Sequence, residues 1–86
     1  MPRMYSPSSV LIIGAGGVGR VVAHKCAQLP NVFPNITLAS RTKSKCDQIA
    51  SELTRPIHTD EVDADDPIAT AELIRSYGAT TVINVA

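Results

Sequence analysis

The sequence predicts an α/β domain in which a parallel sheet alternates with helices, in the order β-α-β-α-β-α-β. Residues 10–13 form a continuous apolar run stopped by glycine, which is typical of a strand buried on both faces. Three later segments place apolar residues at helical spacing, and β-rich runs separate them. Right-handed crossovers between parallel strands then give the expected strand order 3-2-1-4. The 86 residues suffice for one such domain, predicted over residues 9–86 behind a loose leader at residues 1–8.

The first helix is predicted over residues 17–29, directly after a glycine-rich turn. Its apolar stripe comprises Val18, Val21, Val22 and Cys26. Prolines at positions 30 and 34 end the helix in a loop, because proline cannot continue a helical hydrogen-bond ladder. Residues 36–40 are then predicted to form the second strand.

The second helix is predicted to begin at Ser44, which acts as the N-cap while Asp47 reaches back to complete a capping box. Its apolar stripe comprises Cys46, Ile49, Ala50 and Leu53. Pro56 closes the helix, and residues 57–62 form a weak third strand that ends in Val62.

The third helix has the clearest boundary signals of the chain. Asp66 is a favourable N-cap, and Pro67 suits the first helical position. The apolar stripe comprises Ile68, Ala71, Ile74 and Tyr77. Gly78 ends the helix, and residues 80–85 form the fourth strand. Because this strand is an exposed edge, we expect the domain to be marginal alone or to associate through that edge.

Composition narrows the functional classes. The chain is 44% hydrophobic, which argues against a disordered tail. Its net charge is zero and only 3% of its residues are aromatic, so a nucleic-acid partner is disfavoured. No segment approaches the roughly 20 apolar residues of a membrane helix. Two cysteines, Cys26 and Cys46, are too few for a disulfide framework or a zinc site, so we expect a reducing, cytoplasmic location.

The charges are unevenly distributed along the chain. Residues 1–55 carry seven basic and two acidic side chains, whereas residues 56–86 carry one basic and six acidic side chains. Two interpretations stay open: complementary solvated faces, or a basic cluster after position 40 that holds an anion. Neither His24 nor His58 has partners at metal-ligand spacing, so no metal site is expected.

The turn after the first strand has the sequence Gly14-Ala15-Gly16-Gly17-Val18-Gly19. It matches G-x-G-x-x-G between a strand and a helix, the setting in which this motif binds dinucleotides. Gly14 permits the tight turn, Gly16 lets a pyrophosphate approach the backbone, and Gly19 lets the helix lie close to the strand. The N–H groups near Gly17 and Val18 would bind the phosphates. The alternative is a tight βα turn without a ligand.

The end of the second strand indicates which dinucleotide is bound. An NAD site usually has an acidic residue there for the ribose 2′-hydroxyl, but this chain has Ser40-Arg41-Thr42. Arg41 would attract a 2′-phosphate, and Ser40 and Thr42 add hydroxyl donors. Lys43 or Lys45 adds positive charge. The segment therefore favours NADP(H) over NAD. The alternative is that Arg41 is a solvated loop residue.

Two further strand ends carry candidate contacts. Asp63 and Ala64 follow the third strand beside the expected adenine pocket, where Asp63 touches the base edge or merely solvates the loop before Asp66. Asn84 ends the fourth strand, where the second ribose and the nicotinamide would pass. It either bonds there or simply terminates the strand. No pair of nucleophile and base can be identified, so no catalytic residue is predicted.

These segments together resemble the N-terminal part of the saccharopine dehydrogenase family. The resemblance lies over residues 9–86, in VLIIGAGGVGRVVAHKCAQ, ITLASRTKSKCDQIASEL, VDADD and VINVA, and the ASRT-x-SKC run is its most specific part. It is greatest for the branch that forms carboxynorspermidine. The resemblance assigns the pyrophosphate to Gly14, Gly16, Gly17 and Val18, and the 2′-phosphate to Ser40, Arg41 and Thr42.

The resemblance also implies an activity. Such enzymes use NADPH to reduce an imine formed between an amine and an aldehyde; in this branch a diamine condenses with aspartate semialdehyde in polyamine biosynthesis. It implies a substrate domain outside this chain, a homodimer of the full-length enzyme, and a fragment that is inactive alone. The competing hypotheses are a nucleotide-sensing regulatory module without catalysis and an adenylating enzyme, but both typically carry an acid where Ser40-Arg41 stands.

Overall fold

A computed structural model describes residues 8–86, so the predicted leader lies outside the described residues apart from Ser8. The strands are β1 (Ser9–Ile13), β2 (Asn35–Ser40), β3 (His58–Glu61) and β4 (Thr81–Asn84), and the helices are α1 (Gly17–Ala27), α2 (Lys43–Glu52) and α3 (Pro67–Tyr77). All strands run parallel in the order β3-β2-β1-β4, which confirms the predicted Rossmann-like α/β fold.

Strand β1 lies at the centre of the molecule, and all five of its residues are buried. Val10 and Ile12 pack on the side of α1 and α2, whereas Leu11 and Ile13 pack on the side of α3. The sheet is therefore covered by helices on both faces, which is why this strand is apolar without alternation. Its carboxyl end is held in register with the ends of β2 and β4.

Helix α1 faces the sheet with small residues, and the predicted stripe of large ones is wrong in part. Val18 and Val21 are 62% and 58% exposed, while Gly19, Ala23 and Cys26 are buried. The close approach of α1 to β1 leaves room only for small side chains on the contact face. Val18 and Val21 are therefore turned to the flank of the helix, whereas Val22 packs partly buried against the core as predicted. The helix ends at Ala27, two residues earlier than predicted.

Helix α2 begins at Lys43, so the predicted capping box of Ser44 and Asp47 is wrong. Thr42 takes the N-cap position in an extended conformation without a side-chain cap. The conformation before the helix has a local cause. The hydroxyl of Ser40, two positions before Thr42, donates to the Thr42 carbonyl at 2.9 Å and fixes the path of the backbone into the helix. Asp47 instead accepts hydrogen bonds from Lys43 and from Thr59 on β3.

Helix α3 has the predicted ends but a different contact face. Leu73 is its buried residue, supported by partly buried side chains of Ala69, Ile74 and Tyr77. The predicted stripe is right for Ile74 and Tyr77 but wrong for Ile68, which is 73% exposed, and for Ala71, which is also exposed. Among residues 8–86, no helix has the length and apolar character needed to cross a membrane.

We expect Asp66→Ala to destabilise the domain through loss of the α3 cap. The Asp66 carboxylate accepts hydrogen bonds from the backbone N–H groups of Ile68 and Ala69, both at 3.1 Å. Removing such a cap costs about 1 kcal/mol, which lowers Tm by about 4–8 °C in a domain of this size. Thermal unfolding by circular dichroism measures the shift, with Glu72→Ala on the exposed side of α3 as the control. An equal Tm in both variants would contradict the assignment of the cap.

Glu52 joins α1 to α2 and makes stability depend on pH. Its carboxylate lies 2.9 Å from Arg20 Nη2 and 2.9 Å from His24 Nε2. The His24 hydrogen bond, followed by the charge of Arg20, lowers the pKa of Glu52 below its ordinary value of 4.5. A lowered carboxyl pKa stabilises the fold fully above the unfolded value, and this contribution is lost as pH falls through the folded value.

We therefore expect Glu52→Gln to lower Tm at neutral pH and to converge with the unaltered protein in acid. Thermal unfolding over a pH series measures the difference. Glu61→Gln, at an exposed position on β3, is the matched control with the same loss of charge. A Tm difference that stays constant with pH would show that the ionised form of Glu52 does not stabilise the fold.

Candidate cofactor-binding site

The carboxyl ends of the four strands meet at one edge of the sheet and enclose two adjoining clefts. The larger cleft, of about 390 Å³, is lined by residues that follow all four strands, among them Gly14, Ser40, Arg41, Asp63, Ala64 and Asn84. The second, of about 350 Å³, is lined by Gly14, Ala15, Gly16, Ser40, Arg41 and Thr42. The structure thus brings most of the predicted site residues to one surface.

The two remaining predicted residues lie in the first turn of α1. Gly17 lines a third cleft between α1 and α2, together with Gly16 and Arg20. Val18 lines none of these clefts, and its side chain is exposed. Only the backbone N–H of Val18 is therefore suited to a ligand, which is the role that the glycine motif gives it.

Gly14 is required by the path of the backbone. Its φ of 122° lies in the region that favours glycine, and its N–H donates to the Ala39 carbonyl at 2.8 Å. A Cβ at this position would lie 2.9 Å from the Val85 carbonyl carbon. Gly14 therefore lets the turn cross directly over the chain that leaves β4.

Gly16 and the start of α1 form a surface that is open to an anion. A Cβ on Gly16 would meet no atom within 4 Å, so the missing side chain leaves free space. Gly16 is the N-cap, no side chain caps the helix, and the first helical hydrogen bond runs from the Arg20 N–H to the Gly16 carbonyl. The N–H groups of the first turn thus lack helical acceptors, and they suit a pyrophosphate.

The hydroxyl of Ser40 organises the segment that follows β2. It donates to the Thr42 carbonyl and accepts from the Thr42 N–H at 3.2 Å and from the Cys46 thiol at 3.3 Å. Burial raises the pKa of that thiol above its ordinary value, so Cys46 stays protonated as a donor. Ser40 thereby holds the backbone of Arg41 and Thr42 at the mouth of the cleft.

Arg41 extends from this segment along the larger cleft towards the loop after β3. Its Nη2 donates to Asp63 at 3.3 Å and to Asp65 at 3.4 Å, and its Nε donates to Asp63 at 3.4 Å. The side chain of Arg41 is 69% exposed, and surface ion pairs of this kind contribute little stability. A stronger anion can therefore displace these carboxylates from the guanidinium.

Asp63 is held in a fixed position within the loop. The Asp65 N–H donates to its carboxylate at 2.9 Å, and this bond, followed by the charge of Arg41, lowers the pKa of Asp63. The sequence predicts a contact between Asp63 and adenine, which stays a prediction. The contact with Arg41 was missed, although the acidic run after β3 and the basic residue after β2 end neighbouring parallel strands.

Asn84 closes the other end of the larger cleft, where β4 ends beside β1. Its side-chain oxygen accepts a hydrogen bond from the Ala86 N–H at 3.1 Å, which fixes the turn of the chain there. The predicted contact of Asn84 with the second ribose stays a prediction. Residues 8–86 contain no group of three or more potential metal ligands.

Known proteins contain a segment that is similar in sequence to this chain over nearly its whole length. Residues 10–86 match the family described as the saccharopine dehydrogenase NADP binding domain. Carboxyaminopropylagmatine dehydrogenase of Synechocystis sp. is 51% identical over 80 residues, which cover 92% of this chain and 20% of that protein. Carboxynorspermidine synthases of Vibrio alginolyticus and Vibrio cholerae are 41% and 40% identical over 85 residues, covering 88% of this chain and 20% of each protein.

The chain thus spans one fifth of the length of these relatives. The family match covers the glycine turn, the Ser40–Thr42 segment and the ends of all four strands. It confirms NADP(H) as the cofactor, in agreement with a helix start whose N–H groups lack helical acceptors and an arginine in place of the acid expected for NAD. The chain therefore belongs to the saccharopine dehydrogenase family, of which it contains the NADP-binding domain.

Proposed function

We propose that this domain orients NADPH for an oxidoreductase that reduces an imine between an amine and an aldehyde. The pyrophosphate lies against the N–H groups at Gly16, Gly17 and Val18, and the 2′-phosphate lies against Arg41. The observation that carries the proposal is the position of Arg41, in the same clefts as Gly14 at the carboxyl edge of the sheet.

The chemistry of Arg41 fits a 2′-phosphate better than a hydroxyl. A guanidinium offers paired donors in a planar fork, which matches the oxygens of a phosphate. The Ser40–Thr42 segment adds backbone and hydroxyl groups at the same end of the cleft. An unphosphorylated ribose would meet a cation here where the usual NAD site offers a carboxylate.

The reaction proposed for the whole protein balances with one cofactor. NADPH supplies a hydride to the imine carbon, a proton is added to the nitrogen, and the products are a secondary amine and NADP⁺. The residues of this domain bind and orient the cofactor, which carries the difficult chemistry. Asn84 and the chain after β4 lie where the reactive end of the cofactor would emerge towards a substrate domain.

The names of the relatives support a proposal for the substrates. Carboxyaminopropylagmatine and carboxynorspermidine both denote polyamine-type compounds that carry an added carboxyl group. We propose that the whole protein condenses a diamine or agmatine with aspartate semialdehyde and reduces the imine, as a cytoplasmic enzyme of polyamine biosynthesis. A homodimer of the full-length enzyme belongs to the same proposal. A nucleotide-sensing module is less favoured, because such modules typically carry an acid in place of Ser40-Arg41.

The test is an assay of the intact protein that follows loss of NADPH absorbance. Aspartate semialdehyde is supplied with a diamine, with agmatine or with no amine. We expect NADPH to be consumed only when aldehyde and amine are both present, with a carboxylated polyamine detected by mass spectrometry. Consumption without an amine would indicate reduction of the aldehyde itself, and no consumption with any amine would reject the imine substrate.

A further inference from the structure

The start of α2 carries an unusual excess of positive charge. Arg41, Lys43 and Lys45 surround the first turn, and that turn contains no acidic residue and no side-chain cap. The N-terminus of a helix already carries partial positive charge, so cations there are unfavourable. Proteins break such local rules chiefly at functional sites. A cation of this group that lacks a carboxylate partner is therefore a candidate to bind an anion.

Lys43 does not take part in the cleft. Its ammonium lies 3.1 Å from both carboxylate oxygens of Asp47, one helical turn further along α2. Asp47 is also held by Thr59, and these hydrogen bonds, from Thr59 first and then Lys43, lower its pKa. The charge of Lys43 is therefore balanced within the helix.

Lys45 has a different environment. It lines the cleft that contains Gly14, Gly16 and the Ser40–Thr42 segment, and also the neighbouring cleft between α1 and α2. In the part of the chain that the structure describes, no carboxylate lies within ion-pair distance of its ammonium. Lys45 thus lines a cleft that Arg41 also lines, and its charge is not balanced by an ion pair among the described residues.

We infer that Lys45 is a second specificity-determining residue, which contacts the 2′-phosphate of NADPH together with Arg41. This inference rests on the proposed function. Arg41 supplies the planar fork and Lys45 supplies a point charge on a flexible stem, so the two cations can bind different oxygens of one phosphate. The sequence alone left Lys43 and Lys45 equivalent, and the ion pair of Lys43 with Asp47 separates them.

Lys43 and Lys45, which are two positions apart on α2, supply a matched test. Lys45→Ala and Lys43→Ala remove the same charge from the same helical turn, and each variant is titrated with NADPH and with NADH by calorimetry. We expect Lys45→Ala to weaken NADPH binding about tenfold, as for one charged hydrogen bond, and to leave NADH within about twofold. Lys43→Ala should leave the ratio of the two affinities unchanged, and Lys45→Arg should restore most of the preference.

The outcomes separate this inference from the proposed function. An unaltered protein without preference for NADPH would reject the proposed 2′-phosphate site as a whole. If the unaltered protein prefers NADPH but Lys45→Ala weakens both nucleotides equally, Lys45 contacts the pyrophosphate and the inference is wrong. Equal losses of NADPH affinity in Lys43→Ala and Lys45→Ala would show that the loss comes from reduced positive charge in general, which would contradict a specific contact of Lys45 with the 2′-phosphate. Thermal unfolding without nucleotide should show an unchanged or slightly higher Tm for Lys45→Ala, since the variant relieves charge at the helix start.

Discussion

Arg41→Ala is expected to weaken NADPH binding by about a hundredfold, because a bidentate charged contact with phosphate is worth about 3 kcal/mol. NADH lacks the 2′-phosphate and should change by about threefold or less, since that factor corresponds to less than 1 kcal/mol. The Arg41 side chain is 69% exposed and pairs only with surface carboxylates, so its removal should leave the fold intact. Calorimetric titration with both nucleotides measures the two effects on the same preparation.

Two further variants sharpen the test of Arg41. Arg41→Lys keeps the charge but loses the fork, so NADPH affinity should fall between those of the unaltered protein and the alanine variant. Arg75→Ala removes an exposed arginine from the last turn of α3 and should change neither affinity. If Arg41→Ala reduced NADPH and NADH binding by the same factor, the guanidinium would not contact the 2′-phosphate.

Gly19→Ala is expected to be the most destabilising of the glycine-to-alanine substitutions at this site. A Cβ at Gly19 would overlap the Gly14 carbonyl oxygen and lie 2.7 Å from its carbon. Both are backbone atoms of the turn between β1 and α1, so neither can move without separating helix from sheet. Overpacking of this kind costs about 3 kcal/mol, which lowers Tm by about 12 °C or more in a domain of this size.

Gly16→Ala is the matched control, because it adds the same methyl group two glycines earlier in open space. Its effect on the free energy of unfolding should stay within about 1 kcal/mol, the difference between glycine and alanine at an N-cap. It should nevertheless weaken both NADPH and NADH, because the methyl group occupies the approach to the pyrophosphate. Similar Tm values for the Gly16 and Gly19 variants would contradict the close contact of α1 with the turn.

The sheet and its order were predictable from local patterns. The uninterrupted apolar run of β1 requires burial on both faces, and helices between successive strands then leave few ways to order a parallel sheet. The ends of α3 were equally clear, because Asp66 and Gly78 each satisfy backbone groups by a short-range mechanism. Gly78 has the left-handed conformation, with φ of 59°, that such a helix end favours.

The faces of the helices were less predictable. The spacing of large apolar residues placed Val18 and Ile68 on the predicted contact faces. In the structure, Gly19 and Ala23 of α1 and Leu73 of α3 are buried there instead. The distance between helix and sheet decides which side-chain sizes fit, and a single sequence does not state that distance. The predicted cap of α2 was wrong for a similar reason. The hydroxyl of Ser40, which lies outside the helix, fixes the backbone at the helix start.

In the candidate site, the residue types were visible in the sequence but their pairing was not. Arg41 and Asp63 are 22 positions apart and meet because β2 and β3 are neighbours in the sheet. Lys43 and Lys45 differ because Lys43 pairs with Asp47 within α2, whereas Lys45 lines the clefts. The pairing of Arg41 with Asp63 depends on three-dimensional neighbours, which a single sequence does not state.

Parallel calorimetric titrations of the unaltered protein with NADPH and NADH test the central claim most directly. The guanidinium at the end of β2 should make NADPH bind at least about tenfold more tightly, which corresponds to 1.4 kcal/mol. The advantage should shrink as salt is added, because exposed charges are screened. Equal affinities, or tighter binding of NADH, would contradict the assignment of Arg41 and the orientation of the cofactor built on it.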